Sequence, residues 1–139
     1  YDLPVPKDDE TYDFSFSGLK SAVINLCHNE EQRGNKIIKE NIATSFQNRV
    51  IEILTKKTMK ALKDYNVSNL IIAGGVSANK GIREAFMKLC EEKNIELSIP
   101  DFRYCTDNAA MIAAAGYYAF KLGRIADLSL NAKATEELF

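Results

Sequence analysis

Two short stretches carry residue types that could do chemistry. The first is Gly74-Gly75-Val76-Ser77-Ala78-Asn79, which follows the apolar run Asn69-Leu70-Ile71-Ile72-Ala73. Two glycines at the carboxyl end of a strand let the backbone turn sharply and approach a ligand with no Cβ in the way. The helix that follows would aim free N–H groups and its positive dipole end at the same space. Ligands of open α/β sheets bind at such strand ends. The Asn79 amide both donates and accepts, which suits a sugar hydroxyl or a phosphate neighbour. The same residues also fit a tight βα turn in which Asn79 only caps the helix, worth about 1 kcal/mol. The turn is neither a P-loop nor a G-x-G-x-x-G fingerprint.

The second stretch is Tyr104-Cys105-Thr106-Asp107-Asn108-Ala109-Ala110-Met111. Thr106 is placed to cap a helix, with Asp107 in its first turn, where a carboxylate is favoured. Asp107 also suits a metal ligand at the mouth of a closely packed site. One carboxylate does not hold a metal alone, because three or more protein ligands are usual. His28 is the single histidine, which excludes any mechanism needing two histidines from this chain. It lies near a predicted helix end that favours its cationic form, and it reads as a surface residue. Cys27, Cys90 and Cys105 are far apart and form no C-x-x-C pair. They fit small buried hydrophobes in a reducing cytosol, and they exclude a cysteine-built zinc site.

The elements that must position these residues can be read from periodicity. Residues 1 to 13 form a loop segment, with Pro4 and Pro6 around Val5 and the charged run Lys7-Asp8-Asp9-Glu10. Phe14 and Phe16 alternate with serines, as in a short extended segment. Ser17 is the expected cap of a helix to about Asn29, with Leu19, Val23, Leu26 and Cys27 on its apolar face and Gly34 beyond its end. Ile38, Ile42, Phe46, Val50, Ile53, Leu54, Ala61 and Leu62 predict one long helix from Lys36 to about Tyr65, or two helices meeting at a slight break. Its lysines, Lys36 to Lys63, could bind phosphates. Glu40, Glu52 and Asp64 dilute them, and a solvated face is favoured.

A βαβα run follows. Asn69–Ala73 is an uncharged strand of the buried parallel kind. Lys80–Lys93 is an amphipathic helix with Ile82, Ala85, Phe86 and Leu89 inward. Ile95–Ile99 is a second strand ended by Pro100, and Phe102–Thr106 is a loop. Asn108–Leu122 is a helix whose small residues permit close approach of a neighbour, stopped by Gly123. The chain thus divides into a loop segment (1–13), a mainly helical part (14–66) and a βαβα part with the candidate nucleotide-binding turn and an irregular tail (67–139).

The whole chain has 139 residues, 46% hydrophobic and 27% charged, with a net charge of −1. That length predicts one domain with its own core. The charge balance gives no global field for nucleic acid, though a local basic patch remains open. No apolar run has the 18 or so residues of a membrane span, and the start, Tyr1-Asp2-Leu3-Pro4, is unlike a signal peptide. A cytoplasmic protein is expected. The non-Met start points to a processed chain or a piece of a longer one.

Three ordered stretches carry a resemblance: Phe14-Ser15-Phe16-Ser17-Gly18-Leu19-Lys20, Gly74-Gly75-Val76-Ser77-Ala78-Asn79, and Tyr104-Cys105-Thr106-Asp107-Asn108-Ala109-Ala110-Met111-Ile112-Ala113. Together they closely resemble the carboxyl-terminal half of the universal tRNA threonylcarbamoyladenosine transferase family, formerly called O-sialoglycoprotein endopeptidases. The resemblance implies the actin/sugar kinase/Hsp70-like (ASKHA) fold, two α/β lobes around a nucleotide cleft, with this chain in the carboxyl-terminal lobe. It implies transfer of a threonylcarbamoyl group from threonylcarbamoyl-adenylate to adenosine 37, beside the anticodon of tRNAs reading codons that begin with A. It places Asn79, near Gly74 and Gly75, against the nucleotide part of the intermediate. It makes Asp107 a ligand of a divalent metal, iron or zinc. The turn at Ser17–Lys20 would help shape the lobe interface. tRNA and partner proteins of threonylcarbamoyladenosine synthesis are the implied partners, with no membrane.

Full-length members of that family have an amino-terminal lobe with a His-x-x-x-His pair that completes the metal site and a Ser-Gly-Gly-His phosphate turn. Neither pattern stands in this sequence. The expectation is therefore one lobe of a two-lobed enzyme, with an incomplete metal site and no transferase activity on its own. An apolar face left for the other lobe would favour self-association. The alternative of another class is a non-catalytic docking module for protein or tRNA. A metal-dependent glycoprotein endopeptidase gains little, since no His-Glu-x-x-His and no serine triad spacing is present.

Overall fold

The computed structural model describes residues 1–4 and 11–132. The expected charged loop at Lys7–Glu10 and the end of the expected irregular tail, from 133 on, lie outside the described residues. The elements run in the order α1 (Ser17–Gln32), α2 (Lys39–Asp64), β1 (Asn69–Ile71), α3 (Lys80–Lys93), β2 (Glu96–Ser98) and α4 (Ala109–Lys121). Single 3₁₀ turns stand at Gly75–Ala78 and Phe102–Tyr104. The fold is a helix/strand mixture around a small parallel sheet, compatible with the α/β class.

The sheet pairs β1 with β2 in parallel, in the register Asn69↔Glu96, Leu70↔Leu97 and Ile71↔Ser98. Parallel strands need a crossover, and α3 supplies it. The Asn69 amide donates to the Glu96 carboxylate at 2.6 Å, an exposed cross-strand pair that adds to the backbone ladder. Both strands are shorter than expected, three residues each. The ladder nevertheless runs one residue past β1 at each end: the Ile72 N–H bonds the Ser98 carbonyl at 3.0 Å, and the Glu96 N–H bonds the Ser68 carbonyl at 2.7 Å.

Helices α1 and α3 pack on α2, and α3 also covers β2. Leu19, Ile42, Ile53, Ile82, Phe86 and Cys90 form the core between them, joined by Leu3 and Cys105. The long segment is one unbroken helix of 26 residues. It ends at Asn66, which takes a positive φ of 51°. Asn94 ends α3 in the same left-handed conformation, φ 54°, and the Ile95 N–H then bonds the Cys90 carbonyl at 2.8 Å. Asparagine tolerates this conformation better than most residues and replaces the usual glycine at both ends.

Two expected caps are corrected. Helix α1 begins at Ser17 itself, and Phe16 stands at its N-cap without a side-chain bond. The hydroxyls of Ser15 and Ser17 meet each other at 3.4 Å. The predicted extended segment at Phe14–Phe16 forms no strand; the two rings stack with centroids 6.5 Å apart. Helix α4 is capped by Asn108, whose Oδ1 accepts from the Met111 N–H at 3.0 Å. Thr106 and Asp107 therefore precede the helix instead of opening it.

Helix α4 carries its apolar residues into solvent. Ile112, Tyr118, Phe120 and Leu122 are all exposed, and only Ala119 is half-buried. The close approach expected from its small residues is not made within the described residues. No described helix is long and apolar enough to cross a membrane.

Candidate functional site

The glycine turn leaves β1 through Gly74, whose φ of 89° and ψ of 172° lie in a region open essentially to glycine alone. The chain then closes a 3₁₀ turn, with the Ser77 N–H bonding the Gly74 carbonyl at 3.0 Å. Ser77 is the one buried polar residue among those described. Its Oγ lies 2.6 Å from the same Gly74 carbonyl and 3.2 Å from Cys105 Sγ. A Cβ at Gly74 or Gly75 would meet nothing within 4 Å, so the turn faces open space.

That space is a cavity of about 500 Å3, lined by Ala73, Gly74, Gly75, Pro100, Tyr104, Cys105, Thr106, Asp107 and Met111. The structure thus brings Gly74, Gly75 and Asp107 to one site, although they lie far apart in the sequence. The reason is the parallel sheet: β1 and β2 point the same way, so the turns that follow them emerge side by side. Asp107 is exposed and accepts no hydrogen bond from any described residue. Because Asn108 has taken over the cap of α4, this carboxylate is free to face the cavity.

Asn79 is placed differently. Its Oδ1 accepts from the Ile82 N–H at 3.1 Å, capping α3, and its Nδ2 donates to Gln47 Oε1 at 3.2 Å. It lines a separate, more apolar groove of about 1010 Å3 with Phe16, Val23, Cys27, Phe46 and Val76. Gly81 lets α2 approach here: a Cβ at this position would sit 2.8 Å from Gln47 Nε2. The capping reading of Asn79 is what the described hydrogen bonds show.

The donor set bears on a metal. Asp107 offers one carboxylate, and no group of three or more His, Cys, Asp or Glu side chains that could hold an ion occurs among the described residues. These residues alone do not fit a complete metal site. His28 is exposed on α1 and lines no cavity with Asp107. Cys90 and Cys105 are buried as expected, while Cys27 is only half-buried, and all three are free thiols. Burial pushes the Cys90 thiol above its ordinary value.

One residue at the site escaped the sequence reading. Arg83, on α3, sends Nη1 to the Ser77 carbonyl at 2.9 Å and Nη2 to the Pro100 carbonyl at 2.8 Å. The signal was its spacing. Arg83 stands three residues before Phe86 and seven before Cys90, so it shares the inward face of the helix.

Comparison with known proteins shows the family. The family model described as tRNA N6-adenosine threonylcarbamoyltransferase matches residues 1–114. A protein of that name from Staphylococcus saprophyticus is 59% identical over 132 residues, covering 94% of this chain and 39% of the relative. One from Staphylococcus aureus is 53% identical over 131 residues, covering 94% of this chain and 38% of the relative. The chain thus spans about two fifths of the length of the curated relatives it matches. A match over most of the chain, with the Gly74–Gly75 turn and Asp107 both inside it, establishes that the chain belongs to the tRNA N6-adenosine threonylcarbamoyltransferase family.

Proposed function

We propose that this chain is the carboxyl-terminal lobe of an ASKHA-fold transferase and supplies one wall of its active-site cleft. In that enzyme the threonylcarbamoyl group moves from threonylcarbamoyl-adenylate to the amine of adenosine 37 in tRNAs reading codons that begin with A. The new bond joins that amine nitrogen to the carbamoyl carbon, the bond to the phosphate oxygen breaks, and AMP leaves with the amine proton given up to solvent or a base.

The observation that carries the proposal is the convergence of Gly74, Gly75 and Asp107 on one cavity. The glycine turn offers the adenylate a backbone surface without side chains. Asp107 would offer one carboxylate to a divalent metal, iron or zinc, whose other ligands would have to come from outside this chain. A metal there would polarise phosphate or carbamoyl oxygens. Asn79 supports the turn through its cap on α3; because its amide lines the neighbouring groove, it would touch the nucleotide only where the donor extends past the turn's far end. Two features support a partial lobe: the two-stranded sheet of the described residues, which is marginal alone, and the exposed apolar surface of α4. The isolated chain would then lack transferase activity and tend to self-associate. The full enzyme would work in the cytoplasm with partner proteins of the same synthesis.

The test is Gly75→Val in a full-length transferase containing this segment. A branched side chain in the open space should raise the KM for the adenylate donor at least tenfold, with the fold intact by circular dichroism. An unchanged KM would remove the glycine turn from the site.

A second reading, a tRNA-docking module, is favoured by one observation. Lys56, Lys57, Lys60, Lys63 and Lys93 line a single groove of about 1000 Å3 at the opposite end of the sheet. The groove is not wholly basic, because Asp64 lies in it and bonds Lys60 at 2.7 Å. Salt-dependent tRNA binding by the chain alone would support this reading, and no binding at low salt would reject it.

A further inference from the structure

We infer that Arg83 is a positioning residue that holds the glycine turn and the Asp107 loop in register across the cavity. The inference rests on the proposed reading of that cavity as the adenylate and metal wall.

The Arg83 guanidinium bridges two loops. One nitrogen donates to the Ser77 carbonyl at 2.9 Å, at the end of the glycine turn. The other donates to the Pro100 carbonyl at 2.8 Å, where the chain leaves β2 for the Asp107 loop. The guanidinium carbon stands 4.4 Å from the centroid of the Phe102 ring, and Nη1 lies 3.7 Å from Cys105 Sγ. A planar fork of donors can bridge two fixed carbonyls in this way, whereas a lysine ammonium is a point charge on a flexible stem. Each of the two loops is therefore tied to α3 by the same side chain.

The loops are also tied to each other. Ser77 Oγ reaches Cys105 Sγ at 3.2 Å, and Cys105 Sγ lies 3.6 Å from the Asp101 carbonyl. Cys105 is buried and stands two residues before Asp107, while Ser77 holds the Gly74 carbonyl at 2.6 Å. A shift of Arg83 would thus move Gly74 and Asp107 relative to one another without disturbing the α2–α3 core.

The charge adds a second effect. No carboxylate pairs with Arg83 among the described residues, and its partners are neutral carbonyls, a thiol and a ring face. Its full positive charge therefore stands behind a cavity proposed to take a phosphate.

The experiment uses the chain with Arg83→Lys and Arg83→Met. Iodoacetamide alkylation is followed separately at each cysteine by peptide mass mapping, and AMP affinity is followed by NMR titration. Cys90, buried in the α3 core, is the internal control for global opening. The expected result is that Cys105 alkylates at least tenfold faster in Arg83→Met with the Cys90 rate unchanged. AMP should bind several-fold more weakly, and Arg83→Lys should lie between. Parallel acceleration at Cys90 and Cys105, or none at either, would overturn the proposal. So would Cys105 opening with unaltered AMP affinity. If the unsubstituted chain bound no AMP, the nucleotide reading of the cavity would lose support, while the thiol rates would still decide whether Arg83 holds the loops.

Discussion

Ser77 Oγ sits 3.2 Å from Cys105 Sγ, both residues buried, and this contact joins the turn after β1 to the loop after β2. It adds a direct link between two turns that the parallel sheet already sets side by side. Replacing Ser77 by Ala removes the hydroxyl that the Gly74 carbonyl also uses. The expected cost is about 1 kcal/mol, the net worth of one hydrogen bond, because the Ser77 N–H still bonds the Gly74 carbonyl at 3.0 Å. Urea denaturation of Ser77→Ala against the unsubstituted chain measures it.

The two glycines should respond differently to alanine. Gly74 holds φ 89° and ψ 172°, so Gly74→Ala strains the backbone by about 1–3 kcal/mol. Gly75 has no positive φ and faces open space. Gly75→Ala should change stability by less than about 0.5 kcal/mol, as other unconstrained surface changes do. Denaturation midpoints of the pair separate a conformational need for glycine from a need for room.

Asn79 tests cap against ligand. Asn79→Ala loses the bond to the Ile82 N–H and should destabilise by about 1 kcal/mol. Asn79→Ser keeps a capping oxygen and should recover most of that stability. If the Asn79 amide also touches the adenylate, the donor KM in a full-length enzyme rises in both variants. Recovery of KM along with stability in Asn79→Ser would reduce Asn79 to a cap.

The loop before α1 is tied to α2 by a titrating cluster. Tyr12 donates its hydroxyl to Asp64 at 2.9 Å, and Lys60 reaches the same carboxylate at 2.7 Å. The Lys60 bond, then the Tyr12 bond, holds the Asp64 carboxyl below its ordinary 3.8. The bond to Asp64 holds the Tyr12 phenol above its ordinary 10.0. A depressed carboxyl stabilises above the unfolded value and loses that effect as pH falls through the folded one. A raised phenol stabilises below the unfolded value and loses the effect as pH rises through the folded one. The cluster therefore acts between about pH 4 and pH 10. The difference in melting temperature between the chain and its Tyr12→Phe variant should be steady in that window and shrink beyond either edge.

How much of this was legible in the sequence depends on what made each feature local. Helix α3 has the predicted bounds, because Asn79 and Asn94 mark its two ends by residue type. The glycine turn was legible for the same reason. The start of α4 fell within one residue of the expected Asn108, but its cap was not legible, since Thr106, Asp107 and Asn108 are three successive residues that can each cap a helix. Only the packing of the loop against Ser77 and Arg83 selects Asn108 and leaves the Asp107 carboxylate uncommitted. Arg83 was hidden because its acceptors are backbone carbonyls, which leave no trace in residue types. The position of Asn79 in a different groove from Asp107 was likewise invisible to spacing alone.

Asp107 and the Gly74–Gly75 turn face one cavity. The most direct measurement is metal content, with tRNA threonylcarbamoylation assayed in parallel, for Asp107→Ala in a full-length transferase containing this segment. The substitution touches no hydrogen bond of the described fold, so the thermal melt should be unchanged. Metal per protein should fall well below stoichiometric, and tRNA modification should drop at least a hundredfold. Full metal content together with unchanged modification would contradict the account.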